Sequence, residues 1–407
     1  GVVAVVTGTE LAEYCTPWIG VLSHLVGLKS QPQHALAIRK ACWQGEAVAA
    51  VVAETRAQAE DGVDAVQVQW TELPVAANME TALDEKTPVI HSDLGDNLAW
   101  ERTFEAGDVD AAFAAGTVVD QEFSFGRHTG VTLEPRAILS SYEPAEGRLT
   151  VHHSCQAPHM MQNIFATHLG LEEHDVRIIC GDVGGSFGIK VHAYADEMAT
   201  AALSVMLRRP VKFIADRLES FLTDIHARDH RIKGRMAISE SGQILGIEID
   251  DLTGIGPYSV YPRTSGIEAN QIVNLTGAQY TCGNYRASTA VVFQNKVPMC
   301  QYRAVGHPIA TAVTEGLVDA AAAAIDMDPI EVRRRNLIPD DAYPYTAATG
   351  LSFEGLSHHR ALGRLVKLMD YEGLRAEQTR LRGKGIYRGI GIATFIELTN
   401  PSAMFYG

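Results

Sequence analysis

The chain has 407 residues, of which 46% are hydrophobic and 20% charged, and at about 150 residues per domain it has room for two or three domains with sizeable cores. That composition excludes a disordered or low-complexity chain. Lys and Arg total 34 against 49 Asp and Glu, a formal net charge of -15, which repels a polyanion and argues against nucleic acid as a partner.

Residues 2–6 and 47–53 read as strands, a helix starts at Arg56 behind a capping box of Thr55 and Gln58, and residues 66–70 alternate as a third strand. Residues 1–80 are therefore expected to form a small α/β domain. The first strand is already in progress at Gly1, and Phe405-Tyr406-Gly407 ends the chain without a closing element, as expected of a fragment. Residues 81–104, polar and broken by Pro88, read as a linker.

From about residue 105 strand and helix signals interleave, giving a mixed α+β class. Strands are expected at residues 149–153, 176–180 and 211–215, and helices at 160–168 and 193–207. Residues 232–250 alternate on both sides of Glu240-Ser241-Gly242-Gln243, which predicts a hairpin. A small-residue helix spans residues 311–325, and Asp328-Pro329-Ile330-Glu331 starts the next with a cap, a proline and a capping-box glutamate. Arg333-Arg334-Arg335 ends that helix and reads as a solvated basic face that complements the helix dipole. After residue 345 come a helix at 359–369 and a strand at 390–395.

The six cysteines include no C-x-x-C pair. This speaks against a zinc ribbon or iron–sulfur cluster within the chain, and for buried free thiols in a reducing, cytoplasmic setting. No window approaches the roughly 18 consecutive apolar residues of a membrane helix.

Three stretches could carry chemistry. Val176 to Lys190 reads as a strand, a glycine-rich turn (Gly184-Gly185-Ser186-Phe187-Gly188) and a helix, a place where backbone N–H groups can approach an anionic or oxo-bearing ligand at a helix N-terminus. It also fits a plain connection, and it lacks the phosphate-loop pattern of a nucleotide-binding protein. Tyr302-Arg303-Ala304-Val305-Gly306-His307-Pro308 holds an arginine in a loop ahead of a helix. Arg303 could fork onto an oxyanion or pair at the surface, and His307 stands beside it. Gln156, at a strand end, could face a ligand or bond local backbone.

His226 and His230 have helical spacing, but an alanine stands where a zinc-protease motif needs glutamate, so polar packing is expected for both. His152 and His153 project to opposite faces of a strand and cannot share one ion.

Taken together and in this order, the three stretches resemble the molybdenum hydroxylases of the xanthine dehydrogenase, aldehyde oxidase and CO dehydrogenase type. Leu133-Glu134-Pro135-Arg136, the 331–339 helix end and the separation of Gln156 from Phe187 fit as well. The segment from Trp43 resembles the hammerhead domain that precedes the cofactor domain in that family. The resemblance implies the first half of a molybdenum-binding large subunit: hammerhead domain 1–80, linker 81–104, first cofactor-binding domain 105–345, and the start of a second at 346–407.

It implies molybdenum held by the dithiolene of a molybdopterin, in the cytosine dinucleotide form, with no protein metal ligands. Gln156, Phe187 and Arg303 are the implied catalytic residues. Gly185, Ser186, Gly188 and Ala304 join them around the cofactor.

The implied reaction is oxidative hydroxylation of an aldehyde or N-heteroaromatic carbon with oxygen from water, with electrons leaving through an iron–sulfur subunit and an FAD subunit. Ala304 stands where CO dehydrogenases carry a copper-binding cysteine, and Val191 where purine-oxidising relatives carry a glutamate. No glutamate matches the family's general base, and Glu134, Glu315 and Glu397 are expected in caps or pairs. A further chain or segment would supply that base. The alternatives are a non-catalytic chain acting in assembly and an aromatic-thioester reductase of the same family.

Overall fold

The computed structural model describes residues 1–397. The N-terminal unit is an antiparallel ribbon of β1 (Val2–Thr7) and β2 (Ala49–Ala53), with the single-turn α1 (Gly8–Leu11) after the first strand and α2 (Arg56–Asp64) after the second. Thr55 caps α2 by accepting from the Gln58 N–H at 3.3 Å, one arm of the expected box. Val6, Leu11, Cys15 and Trp18 pack into the same core as Met161, Phe165 and Met198 of the following region.

That region begins with β3 (Leu98–Ala106), α3 (Val109–Ala115), β4 (Thr117–Phe125), β5 (Ala137–Glu143), β6 (Arg148–His153) and α4 (Pro158–Leu169). It continues with β7 (Val176–Ile179), α5 (Ala195–Leu207), β8 (Val211–Ile214), α6 (Arg217–Thr223), β9 (His230–Ile238) and β10 (Ile244–Gly254). α7 (Ile267–Leu275), β11 (Tyr285–Val292), α8 (His307–Ala324) and α9 (Pro329–Asn336) complete it. The short ribbon β12 (Tyr345–Thr346) and β13 (Ser352–Phe353) precedes α10 (His358–Leu368) and α11 (Tyr371–Arg382).

Two mixed sheets result. One has the order β3-β11-β10-β9-β4, parallel only between β10 and β11; the other is β7-β6-β5-β8, parallel only between β6 and β7. The expected mixed α/β class is thus what the chain forms.

Helix α8 lays Ile309, Val313, Leu317 and Ala321, a helical repeat, into the core of the first sheet. It can approach β4 closely because Gly316 has no side chain: a Cβ there would lie 2.9 Å from the Phe123 ring. Helices α4 and α5 cover the second sheet.

Four expectations need correction. Residues 66–70 form no strand; Val68 and Trp70 are 42% and 63% exposed, and alternation without a partner edge has no ladder to join. Residues 390–395 form none either, because the Thr394 N–H and hydroxyl are both bonded to the Glu315 carboxylate at 3.0 Å. The linker expected to reach residue 104 already contains most of β3, which pairs with β11. Arg333 is not on a solvated face: it is buried, with Nε 2.8 Å from Glu315 and Nη1 2.8 Å from Asp319, while Arg334 and Arg335 remain on the surface.

Among the described residues no single helix is long and apolar enough to cross a membrane. Phe405, Tyr406 and Gly407 lie outside the described residues.

Candidate active site

The glycine-rich turn leaves the end of β7 and carries three turn-forming conformations: φ is +102° at Gly185, +55° at Phe187 and +96° at Gly188. A Cβ on Gly188 would lie 3.0 Å from the Gln301 carbonyl, so the left-handed backbone and the close approach both require glycine there. Phe187 adopts the same region with a side chain, a strained conformation that its surroundings must hold. The helix expected directly after the turn does not form. The chain makes a single 3-10 turn, Ile189–Val191, and α5 starts only at Ala195, with Asp196 and Glu197 in its first turn. The α5 dipole therefore faces its own acidic residues and Arg136, not the glycine turn.

A carboxylate holds the turn in place. Glu134 Oε2 accepts from the Gly184 N–H at 2.6 Å, from Lys190 Nζ at 2.9 Å and from Ser154 Oγ at 3.0 Å. Burial raises the Glu134 carboxyl, but Lys190, Gly184 and Ser154 together outweigh it and hold the group below the usual carboxylate range. The Lys190 side chain is fully buried, so this ion pair is an anchor between the turn and the segment ahead of β5, with Ser154 joining it from the end of β6.

Gln156 follows β6 directly ahead of α4. Its N–H donates to the Lys190 carbonyl at 3.0 Å. Its Oε1 accepts from Ser186 Oγ and, at 3.1 Å, from the Gly188 N–H, and Ser186 Oγ accepts from the Lys190 N–H at 3.1 Å. Among the described residues the Gln156 Nε2 makes no hydrogen bond, so the amide is fixed by its oxygen and exposes its donor.

The second loop closes onto the first through the backbone. Arg303 N–H donates to the Phe187 carbonyl at 2.8 Å, and the exposed Arg303 guanidinium lies 6.0 Å from the Phe187 ring centre. Arg303 makes no ion pair among the described residues. Behind it, buried Arg228 bonds the Arg303 carbonyl at 2.6 Å and pairs with Glu268, whose Oε1 also accepts from the Gly306 N–H at 3.2 Å. Ala304 has φ +65° and Gly306 +74°, the two left-handed residues that shape the loop ahead of α8.

Gln156, Gly185, Ser186, Phe187, Gly188 and Arg303 are thus brought together, with Ala304 next in the loop. The other candidates go elsewhere. His307 Nδ1 lies 2.9 Å from the Ala304 and Val305 carbonyls. His230 is buried against Asp251 at 2.9 Å and Thr253 at 2.8 Å, and burial pushes His226 down to about 4.

His152 is exposed and His153 buried, on opposite faces of β6. Val191 is buried. Glu315 is saturated by Tyr280, Gln279, Arg333 and Thr394, and Glu397 is exposed. Among the described residues no group of His, Cys, Asp and Glu is arranged to hold a metal ion.

The sequence reading expected a cap or pair for Glu134 without naming its partners, Lys190 and Ser154, and it missed the Arg228–Glu268 brace. The only sequence signal for those partners is a lysine directly after a glycine turn. None exists for the brace, because its members are far apart in the chain.

Residues 90–337 match the family model described as molybdopterin cofactor-binding domain, and residues 1–74 match that described as aldehyde oxidase and xanthine dehydrogenase, a/b hammerhead domain. The carbon monoxide dehydrogenase large chain of Hydrogenophaga pseudoflava is 31% identical over 99% of this chain and 52% of its own. The nicotine 6-hydroxylase large subunit of Paenarthrobacter nicotinovorans is 32% identical over 99% of this chain and 49% of its own. Among solved structures, quinoline 2-oxidoreductase from Pseudomonas putida 86 superposes with a TM-score of 0.90 at 29% identity, covering 95% of this chain and 49% of that one. The chain therefore spans about half the length of these relatives.

Proposed function

We propose that this chain, which belongs to the xanthine dehydrogenase and aldehyde oxidase family of molybdopterin-binding proteins, is part of an oxidoreductase that hydroxylates an aldehyde or N-heteroaromatic carbon with oxygen drawn from water. The observation that carries this reading is the donor pattern around Gln156. Its Oε1 is occupied by Ser186 and Gly188, while its Nε2 and the Arg303 guanidinium are left to donate outward from adjoining loops. Such a donor set suits an anionic, oxygen-bearing group, so the residues present fit a molybdenum-carrying pterin.

The cofactor, in its cytosine dinucleotide form, supplies the two-electron oxidation when bound. Gln156 donates through Nε2 towards it, with Ser186 fixing the carboxamide. Gly185 and Gly188 allow the main chain close approach, Phe187 walls one side, and Arg303, with Ala304 beside it, orients the substrate and favours charge that develops there.

Glu134 and Glu315 are already committed to ion pairs; the proton acceptor, by the family resemblance, is a glutamate of a further chain or segment. Ala304 offers a copper ion no thiolate. Electrons leave to an iron–sulfur subunit and an FAD subunit.

The test is elemental analysis of the protein purified with everything that co-migrates, together with the masses of its chains. Molybdenum with iron and a partner of additional mass supports the reading. Absence of molybdenum after cofactor-replete growth overturns it.

A further inference from the structure

Strands β6 and β7 run parallel, with His152 opposite Ile179. Just past that pair the chain turns tightly, the Cys155 N–H donating to the His153 carbonyl at 3.0 Å, and this brings Cys155 beside the residue that follows β7. Cys180 Sγ donates to the Cys155 carbonyl at 3.0 Å, which sets the two cysteines side by side. Cys155 is 1% exposed, whereas Cys180 is only half-buried, so an oxidant can reach one sulfur while the other waits behind it. The remaining cysteines, Cys15, Cys42, Cys282 and Cys300, are all buried.

The Cys155 carbonyl belongs to the same rigid peptide unit as the Gln156 N–H. That unit is held on one side by the Cys180 thiol and on the other by the Lys190 carbonyl, 3.0 Å from the Gln156 nitrogen. Whatever changes the Cys180 sulfur therefore changes one of the two bonds that hold the peptide unit from which the Gln156 side chain projects.

We propose that Cys155 and Cys180 form a peroxide-sensitive dithiol that closes to a disulfide and thereby displaces the Gln156 carboxamide from Ser186 and Gly188. Cys180 gives up its thiol proton as its sulfur attacks a peroxide oxygen, the O–O bond breaks with loss of water, and a sulfenic acid forms at Cys180. The Cys155 sulfur then attacks it, the S–S bond forms and water leaves. In total two thiols and one hydrogen peroxide give one disulfide and two waters; the two electrons come from the two sulfurs and the thiol protons leave in the water.

Closure removes the Cys180 Sγ bond to the Cys155 carbonyl and frees the peptide unit to rotate. The effect on function rests on the reading of Gln156 given above; the disulfide itself does not.

The purified protein, with all co-migrating chains, is reduced, treated with hydrogen peroxide, alkylated, digested and analysed by mass spectrometry without reduction. The expected result is a Cys155–Cys180 cross-linked peptide, a loss of two alkylatable thiols from six, and recovery of both with dithiothreitol. Cys180→Ser should abolish the cross-link, and the dithiothreitol reversal decides the matter independently of that variant. Amide hydrogen exchange at Gln156 and Gly188 should speed up on oxidation and return on reduction.

Molybdenum is measured on the same samples. A cross-link in molybdenum-free protein keeps the dithiol and sinks the enzymatic reading. A molybdenum-loaded protein in which peroxide gives only separate oxidised cysteines, or no change at Gln156 and Gly188, overturns the proposal.

Discussion

Arg136 and Arg303 show the same side chain in two settings. Arg136 is fully buried, bonded to Asp196 at 2.5 and 2.7 Å, Glu197 at 3.3 Å and Asp224 at 2.6 Å, with the Tyr194 ring centre 3.8 Å from its guanidinium. Burial would lower it, but Asp196 and Glu197 hold it well above its ordinary value. Arg303 is exposed, tied through its backbone alone, and its guanidinium meets a ring and no carboxylate among the described residues.

The same division separates Glu315, which is saturated on both oxygens, from Gln156, which is half saturated. A buried charge survives only when every donor has an acceptor, whereas a binding group must keep a donor unused. The Arg136 region therefore holds the fold, and the exposed loop face is where a ligand can be met.

The sharpest way to break this contrast is to truncate Arg136. Arg136→Met leaves Asp196 and Asp224 without their cation and Glu197 with His153 alone, and should cost about 3–5 kcal/mol, read as a lower melting temperature or loss of soluble protein; an unchanged melting temperature would show that the cluster is not structural. On the loop face the loss should be in turnover instead. Gln156→Ala should lower kcat by about 10²–10³-fold, as for removal of one preorganised donor, with the melting temperature nearly unchanged.

Gly188→Ala joins both behaviours, since φ +96° and the Gln301 carbonyl at 3.0 Å oppose any Cβ. It should cost about 1–3 kcal/mol and lower bound molybdenum, measured on the same preparation.

Two buried histidines sharpen the contrast further through pH. Burial alone would lower His153, but Glu197 outweighs it and raises His153 to about 10. Its contribution to stability is complete below its ordinary value of 6.5 and is lost as pH rises through about 10. Burial pushes His192 down to about 3, so the unfolded chain binds its proton first and stability is lost as pH falls from 6.5 towards about 3.

Melting temperature against pH should therefore flatten on the alkaline side for His153→Gln and on the acid side for His192→Gln. The reverse assignment would refute the charge pattern. The smallest effect expected is that of Arg303→Ala on stability, within about 0.5 kcal/mol; a larger loss would mean that the side chain, and not only the backbone, holds the loop.

Much of the second region was legible because its signals are local. The 232–250 hairpin, the helix behind His307 and the capped α9 each follow from period, turn and cap residues close in sequence. The failures at residues 66–70 and 390–395 share one cause. Strand periodicity says which face a segment could bury, but only a partner edge makes it a strand, and in the second case Glu315 from α8 captured the backbone instead.

Arg333 was misread for a related reason: its place at a helix end is local, while its burial against Glu315 is set by how α9 docks on α8.

By itself the sequence determined the mixed α/β class and the three stretches that carry the candidate site, since glycines with positive φ, strand runs and helix caps are encoded within a few residues. Tertiary structure alone decided which donors remain unused. Gln156 acquires its one-sided amide from Ser186 and Gly188, and the glycine turn is anchored by Glu134, fifty residues earlier in the chain. Hydrogen-bond saturation depends on which distant groups arrive within about 3 Å, and no local pattern specifies that.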